Sequence, residues 1–142
     1  MVSLVVKDYM IKQVITFNKN DSIIDICQTM ADRSISCVII VEKGKPIGLV
    51  TERDIIKKIV SKNMCIDTLK AKDVMSKKVL TIAEDENIFN IVKIMEKNHI
   101  RRLPVVRGVK VVGLITQTDL VKAMSDIAIK MNEQLVRFIT NN

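Results

Sequence analysis

Apolar and polar positions follow the same order twice along this chain. In each copy the pattern predicts a short strand, an amphipathic helix, a strand, a turn, a second strand and a second helix. In the first copy the first strand is residues 14–17, and the amphipathic helix after it has Ile23, Ile26, Cys27 and Met30 on one face. The next strand is residues 37–41, the turn is 42–45, the last strand is 47–50, and the second helix is capped by Thr51. In the second copy the corresponding elements are residues 79–82, 88–97, 103–106 and 111–115 and a helix from Gln117. Each copy is therefore predicted to be a β-α-β-β-α unit.

The two copies are offset by 65 residues without a gap, so that residues 7–57 recur as residues 72–122. Val14 matches Val79, Met30 matches Met95, and a Gly-x-x-Thr-x-x-Asp segment at 48–54 recurs at 113–119. A solenoid would need at least about three repeats. Two copies instead predict an α+β fold in which the repeats are related by a pseudo-twofold axis and packed sheet to sheet.

The repeat divides the chain into three segments. Residues 1–65 contain the first repeat and a linker, residues 66–124 the second repeat, and residues 125–142 a predicted helical tail. One stripe of this tail carries Ile127, Met131, Leu135, Phe138 and Ile139. We expect the stripe to pack on its own domain or on a partner chain, rather than on a membrane, because the opposite face is not strongly basic.

Composition excludes some functions and leaves others open. The chain is 48% apolar, which suffices for a core, and only 3% aromatic, which argues against stacking platforms for single-stranded nucleic acid. The net charge of +7 comes mostly from lysines spread along the chain. Such charge indicates either a solvated surface or attraction to phosphate-bearing partners, from nucleotides to nucleic acid.

Catalytic and metal-binding patterns are not found in the sequence. The three cysteines form no C-x-x-C pair, and the single histidine, His99, cannot form a metal cluster. No nucleophile with a patterned base, paired-carboxylate site or phosphate loop is seen. We therefore expect a cytoplasmic protein that is not an enzyme, with no signal peptide and no membrane span, since no apolar run approaches about 18 residues.

Candidate chemistry lies where the second helix of each copy begins. Thr51 and Asp54 flank the first helical turn, where free N–H groups favour phosphate. A carboxylate in that position can accept hydrogen bonds from both hydroxyls of a ribose, and Gly48 would let a ligand approach the backbone. The same residues also match a capping box, with threonine at the cap and an acid three residues later. The residues by themselves leave both interpretations open.

These features resemble the CBS domain, and the pair resembles a Bateman module. The resemblance covers nearly all of residues 5–124 and rests on Gly-Leu-Val-Thr-Glu-Arg-Asp at 48–54, Gly-Leu-Ile-Thr-Gln-Thr-Asp at 113–119 and Ile-Arg-Arg-Leu-Pro-Val-Val at 100–106. It implies a regulatory module that holds AMP, ADP, ATP or S-adenosylmethionine between its two copies. It also implies a homodimer of four CBS units, with the adenosyl compound as a regulatory ligand and no required cofactor.

The resemblance also implies roles for individual residues. Asp54 and Asp119 would bind ribose, Thr51 and Thr116 would bind ribose or phosphate, and Thr16 and Thr81 would lie near adenine or ribose. Arg101 and Arg102 would meet phosphate in the site of Asp54. The first copy has Ser36 and Cys37 at the matching positions, so we expect two unequal sites, with the Asp54 site preferring phosphorylated ligands. Apolar candidates for an adenine slot, which could equally be core, are Ile35, Ile47, Ile100 and Val112. The remaining candidates are Gly48, Arg53, Pro104, Gly113 and Thr118.

Three functions follow as hypotheses. The first is an adenosyl-ligand sensor that has no catalytic domain of its own and acts in trans on an effector protein. The second, motivated by the charge of +7, is a nucleic-acid-binding protein. The third is a structural dimerisation module whose ligand sites are vestigial. Ligand-induced stabilisation distinguishes the first from the third, and the salt dependence of binding identifies the second.

Overall fold

The computed structural model describes residues 2–141 and contains two three-stranded sheets with helices. The first repeat comprises β1 (Thr16–Asn18), α1 (Ile23–Asp32), β2 (Cys37–Glu42), β3 (Lys45–Thr51) and α2 (Glu52–Ile55). A short helix, α3 (Ala71–Val74), follows the linker. The second repeat comprises β4 (Ile82–Ala83), α4 (Ile88–Asn98), β5 (Arg102–Arg107), β6 (Lys110–Thr116) and α5 (Gln117–Thr140). The β-α-β-β-α order predicted for each repeat is confirmed.

Each sheet has the same topology. Its short first strand pairs in parallel with the middle strand, and the middle strand pairs antiparallel with the third, in the orders β1-β2-β3 and β4-β5-β6. The two sheets meet through a small apolar cluster centred on Cys37, Ile39 and Leu114. The predicted sheet-to-sheet packing of two pseudo-twofold related repeats is thus confirmed.

The two amphipathic helices begin at polar caps. Ser22 Oγ accepts a hydrogen bond of 3.1 Å from the backbone N–H of Ile24 at the start of α1. Asn87 Oδ1 accepts one of 2.8 Å from the N–H of Phe89 at the start of α4. These caps satisfy backbone donors that a first helical turn leaves free, and they place the apolar faces of both helices in the core.

The segment that precedes each repeat packs in the core of the other repeat. A single 3-10 turn, Val6–Asp8, places Val6 in the core of the second repeat, and its N–H donates to Glu86 O at 2.9 Å. The equivalent helix α3 packs in the core of the first repeat, where Ala71 N–H donates to Asp21 O at 2.9 Å. The two halves therefore exchange segments. The core of each repeat includes residues from the segment that precedes the other repeat.

The first strands start later than predicted. Thr16 begins β1 instead of ending it, and Thr81 lies just before β4. β4 is one residue shorter than β1 because Pro104 replaces the residue equivalent to Ile39, whose N–H donates to Ile15 O at 3.3 Å. Proline has no N–H to donate. Pro104 is the third residue of β5.

The last helices of the two repeats differ in length and geometry. α2 has a single α-helical turn and continues as a π-helical turn, Ile56–Val60, before the linker. α5 runs without interruption from Gln117 to Thr140, so the predicted tail is a continuation of this helix. Its side chains are buried only as far as Ile127; further along, the apolar stripe of Met131, Leu135, Phe138 and Ile139 is exposed.

Candidate functional site

Both Thr-x-x-Asp segments form the same hydrogen-bonded cap. Thr51 Oγ1 accepts from the N–H of Asp54 at 3.2 Å, while Asp54 Oδ2 accepts from the N–H and the hydroxyl of Thr51, each at 3.0 Å. At the second cap, Asp119 Oδ2 accepts from the N–H of Thr116 at 2.9 Å and from its hydroxyl at 2.7 Å. The capping-box interpretation is therefore correct at both positions. Capping engages only one oxygen of each carboxylate, so it does not by itself exclude a ligand.

The second oxygen of Asp54 is also occupied. Oδ1 accepts from Ser76 Oγ at 3.1 Å and lies 3.0 Å from Lys58 Nζ. Partial burial raises the pKa of the Asp54 carboxyl, but hydrogen bonds from Lys58 and Thr51 outweigh burial and leave the pKa below its ordinary value. The Asp54 side chain is only 12% exposed. This carboxylate is ionised and fully engaged by the protein's own donors.

Asp119 lacks both of these additional partners. At the 65-residue offset, Ala123 stands in place of Lys58 and Ile11 in place of Ser76. Within residues 2–141, Asp119 Oδ1 makes no hydrogen bond and no ion pair. The oxygen that a ribose would need is therefore free in Asp119 and engaged in Asp54.

A cavity of about 230 Å³, here called the Thr116 cleft, lies between the repeats beside this second cap. Its walls are mostly apolar, and its polar groups come from Gln13, Ser34, Ser36, Thr116 and Arg102. Ile35 and Cys37 of the predicted site also line it, together with Ile11, Val14, Ile15 and Leu114. Such a combination, an apolar slot with a few polar groups, is typical of small-molecule sites.

A more polar cavity of about 280 Å³, the Thr51 cleft, lies beside the first cap. Its lining is almost entirely polar or charged and consists of Thr51, Glu52, Arg53, His99, Arg101 and Arg102. Three arginines against one glutamate make the cleft electropositive, a character that suits anionic groups. The structure thus brings Arg101 and Arg102 next to Thr51, as the sequence predicted.

Arg102 also faces the other cap. Its Nη2 donates a hydrogen bond of 2.8 Å to Ser36 Oγ, and the residue pairs with Thr116 across β5 and β6. Both arginines line a further cavity of about 230 Å³ with Ser36, Thr116, Gln117 and Thr118. Assigning the arginines to Asp54 alone is therefore too narrow, because strand pairing places Arg102 beside the Asp119 cap. The nearby guanidinium opposes, but does not cancel, the effect of burial, which raises the pKa of the Cys37 thiol.

The glycines of both segments contact methionines in this structure. A Cβ at Gly48 would lie 2.5 Å from Met75 Sδ, and a Cβ at Gly113 would overlap Met10 Sδ and lie 2.9 Å from Ile11 O. Met10 and Met75 belong to the exchanged segments. Packing of the two methionines, rather than approach of a ligand, accounts for glycine at both positions.

The remaining predicted residues are scattered. Thr16 and Val112 line a separate cavity of about 590 Å³ with Lys7, Lys12 and Arg107. Ile47 packs against the first core, Pro104 is buried in β5, and Thr81 is exposed. Ile100 lines another cavity, of about 670 Å³, which is a groove between α4 and α5 of the second repeat. The cap threonines, Thr51 and Thr116, line the two clefts between the repeats and do not line this groove.

Several residues of the clefts were not predicted from the sequence. Gln13, Val14 and Ile15 line the Thr116 cleft, and no motif marks them. Lys58 lies four residues after Asp54, the spacing of a helical ion pair, so this partner could have been found from the sequence. Ser76 could not, because it reaches Asp54 from the other repeat.

Two further findings concern the described part of the chain. Residues 2–141 contain no group of three or more His, Cys, Asp or Glu side chains that could hold a metal ion. No helix in this range is both long enough and apolar enough to cross a bilayer.

Known proteins share this organisation. Residues 6–61 and 71–126 each match the CBS domain. The uncharacterised protein MK0525 of Methanopyrus kandleri is 35% identical over 129 residues, which cover 89% of this chain and 66% of that protein. The uncharacterised protein MJ0653 of Methanocaldococcus jannaschii is 45% identical over 122 residues, which cover 86% of this chain and 63% of that protein. This chain therefore spans about two thirds of the length of these two relatives.

A solved structure shows the same fold with ligands. The CBS domain pair of protein MJ0100, in complex with 5′-methylthioadenosine and S-adenosyl-L-methionine, superposes with a TM-score of 0.77 and 30% identity. The match covers 89% of this chain and 98% of that one. Two matched domains, the repeated cap and the shared architecture together show that this chain belongs to the CBS domain family, as a tandem CBS pair.

Proposed function

We propose that this chain is a regulatory module that binds an adenosyl compound in the Thr116 cleft. The observation that carries the proposal is the cap of α5, in which Asp119 keeps Oδ1 free and its partner Thr116 lines an apolar cavity between the two repeats. The ligands of the related MJ0100 pair, 5′-methylthioadenosine and S-adenosyl-L-methionine, support an adenosyl group as the common element.

The chemistry of the cleft matches the parts of such a ligand. The apolar walls suit the faces of an adenine ring, and a free carboxylate oxygen can accept hydrogen bonds from ribose hydroxyls. Arg102 and the N-terminus of α5 offer positive charge to a phosphate or carboxylate group beyond the ribose. The proposed ligands are therefore AMP, ADP, ATP or an S-adenosyl compound, with no cofactor required.

Thermal unfolding with a ligand panel tests this proposal. A ligand at 100 times its dissociation constant adds about 2.7 kcal/mol to the free energy of unfolding, so a raised Tm is expected with at least one of AMP, ATP, S-adenosylmethionine and 5′-methylthioadenosine. GMP and CMP serve as controls for general phosphate binding. Asp119→Ala should remove the shift. If no adenosyl compound raises the Tm, the proposal is wrong and a structural role is favoured.

We further propose that ligand binding controls an effector protein in the cytoplasm. Ligand and effector must then change each other's affinity by the same factor. The measurement is the affinity of a candidate effector for the wild-type protein, with and without ligand, and for Asp119→Ala. An effector that binds equally in all three cases contradicts regulation in trans.

Self-association is the second part of the proposal. Beyond Ile127, the α5 side chains Met131, Leu135, Phe138 and Ile139 are exposed, and apolar stripes of this kind commonly pack against a second helix. We expect a homodimer with four CBS units. Light scattering should show it, and Leu135→Lys with Phe138→Lys should shift it to monomer while leaving the unfolding midpoint of the domain unchanged at low concentration. A wild-type monomer at about 0.1 mM, where a micromolar dimer would be saturated, contradicts this part.

A further inference from the structure

The Asp54 carboxylate has every acceptor position filled by the protein itself. A carboxylate offers about four lone-pair positions on its two oxygens. Oδ2 accepts from the N–H and hydroxyl of Thr51, and Oδ1 accepts from Ser76 Oγ and Lys58 Nζ, all at 3.0 to 3.1 Å. Within residues 2–141, the Asp119 side chain accepts only the two hydrogen bonds from Thr116. The two carboxylates therefore differ in what remains available to a ribose.

Lys58 is held in place by more than the carboxylate. Its Nζ also donates a hydrogen bond of 2.6 Å to Val74 O, at the end of α3. It lies in the π-helical turn Ile56–Val60, where Ser61 N–H donates to Ile56 O at 2.8 Å. Single π-helical turns are rare in proteins, and those that occur are often found at functional positions. In the second repeat the corresponding stretch belongs to the uninterrupted helix α5.

We infer that Lys58 and Ser76 act as an internal substitute for the ribose hydroxyls at Asp54, so that one adenosyl compound binds per chain, at Asp119. The inference rests on the proposed function and adds which of the two carboxylates the ligand uses. A ribose at Asp54 would have to displace an ammonium group and a hydroxyl that already satisfy a mostly buried carboxylate. At Asp119 it displaces only solvent. This assignment also reverses the preference expected from the sequence, in which the Asp54 site held the phosphorylated ligand.

The inference identifies Lys58 as a specificity-determining residue. Its removal frees one acceptor position of Asp54 Oδ1, and removal of the Ser76 hydroxyl frees the other. The Lys58→Ala substitution reproduces the alanine found at position 123 in the second repeat. The Lys58→Met substitution keeps the aliphatic stem and therefore the packing, in case the alanine variant folds poorly.

Isothermal titration of the full chain with 5′-methylthioadenosine, and in parallel with AMP, tests the inference. The wild-type stoichiometry should be one ligand per chain. Asp119→Ala should weaken binding by about tenfold or more, because a charged hydrogen bond is lost, and Asp54→Ala by less than about threefold. Ser76→Ala combined with Lys58→Met or Lys58→Ala should raise the stoichiometry to two. Lys57→Ala, which removes a neighbouring exposed lysine, is the control for net charge and should leave it at one.

The outcomes separate the inference from the proposed function. Two equal sites in the wild type, or equal losses in Asp54→Ala and Asp119→Ala, overturn the inference while leaving adenosyl binding intact. A stoichiometry of one in both double variants, with native circular dichroism, overturns it as well. Binding of neither probe to any variant overturns the proposed function, and the inference with it.

Discussion

The two repeats have one topology and one cap, yet they differ in what surrounds the cap. In the first repeat, Asp54 is enclosed by a lysine from the next turn and a serine from the other repeat. In the second, Asp119 keeps one oxygen free, and Thr116 of the same cap lines an apolar cavity. Two copies of one motif thus have different surroundings, because the side chains that contact the second carboxylate oxygen lie outside the motif.

The exchanged segments show a second difference between the repeats. Each contributes a methionine that lies over a glycine of the third strand. The three atoms nearest to an added Cβ all belong to Met75 at Gly48, whereas at Gly113 they include a backbone atom, Ile11 O, at 2.9 Å. A flexible side chain can yield to an added methyl group, whereas a backbone carbonyl yields only if the segment shifts. The same sequence position is therefore more constrained in the second repeat.

The largest expected effect is the loss of stability when alanine replaces the glycine of either third strand. Gly113→Ala should lower the free energy of unfolding by about 3 kcal/mol and Gly48→Ala by about 1 kcal/mol, since overpacking costs more where the backbone must move. Urea unfolding measures both values. Equal losses would mean that the methionine alone limits the space at each glycine.

The next largest expected effect is the loss of stability when either cap carboxylate is removed. Asp54→Ala should cost about 2 kcal/mol, because Lys58 and Ser76 lose an acceptor in a mostly buried site, whereas Asp119→Ala should cost about 1 kcal/mol, the value of a cap. Asp85→Ala, at an exposed position, is the control for loss of one charge. A larger loss of stability in Asp119→Ala than in Asp54→Ala would contradict the role of the Lys58 and Ser76 contacts with Asp54.

Acid pH should reduce the stabilisation that the Asp54 carboxylate provides. Because the folded pKa of Asp54 lies below its unfolded value, its carboxylate stabilises the fold above about pH 4, and this contribution is lost as the pH falls through the folded pKa. The difference in unfolding free energy between the wild type and Asp54→Asn should therefore shrink as the pH falls from about 4 towards the lower, folded pKa. A constant difference across this range would mean that the Asp54 carboxyl titrates alike in both states.

The smallest effect concerns the short strand β4. Pro104→Ile restores the N–H that Ile39 uses in the first repeat and should extend β4 to Thr81. The change in stability should stay within about 1 kcal/mol, the net value of one hydrogen bond. Hydrogen exchange provides the direct measurement, with slowed exchange expected at residue 104. Fast exchange there would show that something other than the missing donor shortens β4.

Much of the fold could be predicted from the chain itself. The bounds of α1 and α4 follow from caps and helical spacing, and the strand now seen as Cys37–Glu42 was predicted within one residue from its apolar run. The bounds of the first strands were misplaced by one to three residues because their pairing depends on the partner strand, including the missing donor at Pro104.

The candidate site was predictable only in part. Thr51, Asp54, Thr116 and Asp119 were identified because their chemistry is local to one helical turn. Arg102 was identified, but its contact with Ser36 and its position beside Thr116 depend on how the two sheets meet. Gln13 lines the Thr116 cleft without any local signal.

The repeat can be found in the sequence because its letters match at a constant offset, and the order of elements and the two caps can be found because each depends on residues a few positions apart. The exchange of leading segments, and the contacts of both Ser76 and Lys58 with the Asp54 carboxylate, appear only in the folded structure. Ser76 meets Asp54 across 22 positions of the chain, in the other repeat. The spacing within a helix or strand is fixed by backbone geometry, whereas a contact between repeats depends on how two cores pack together.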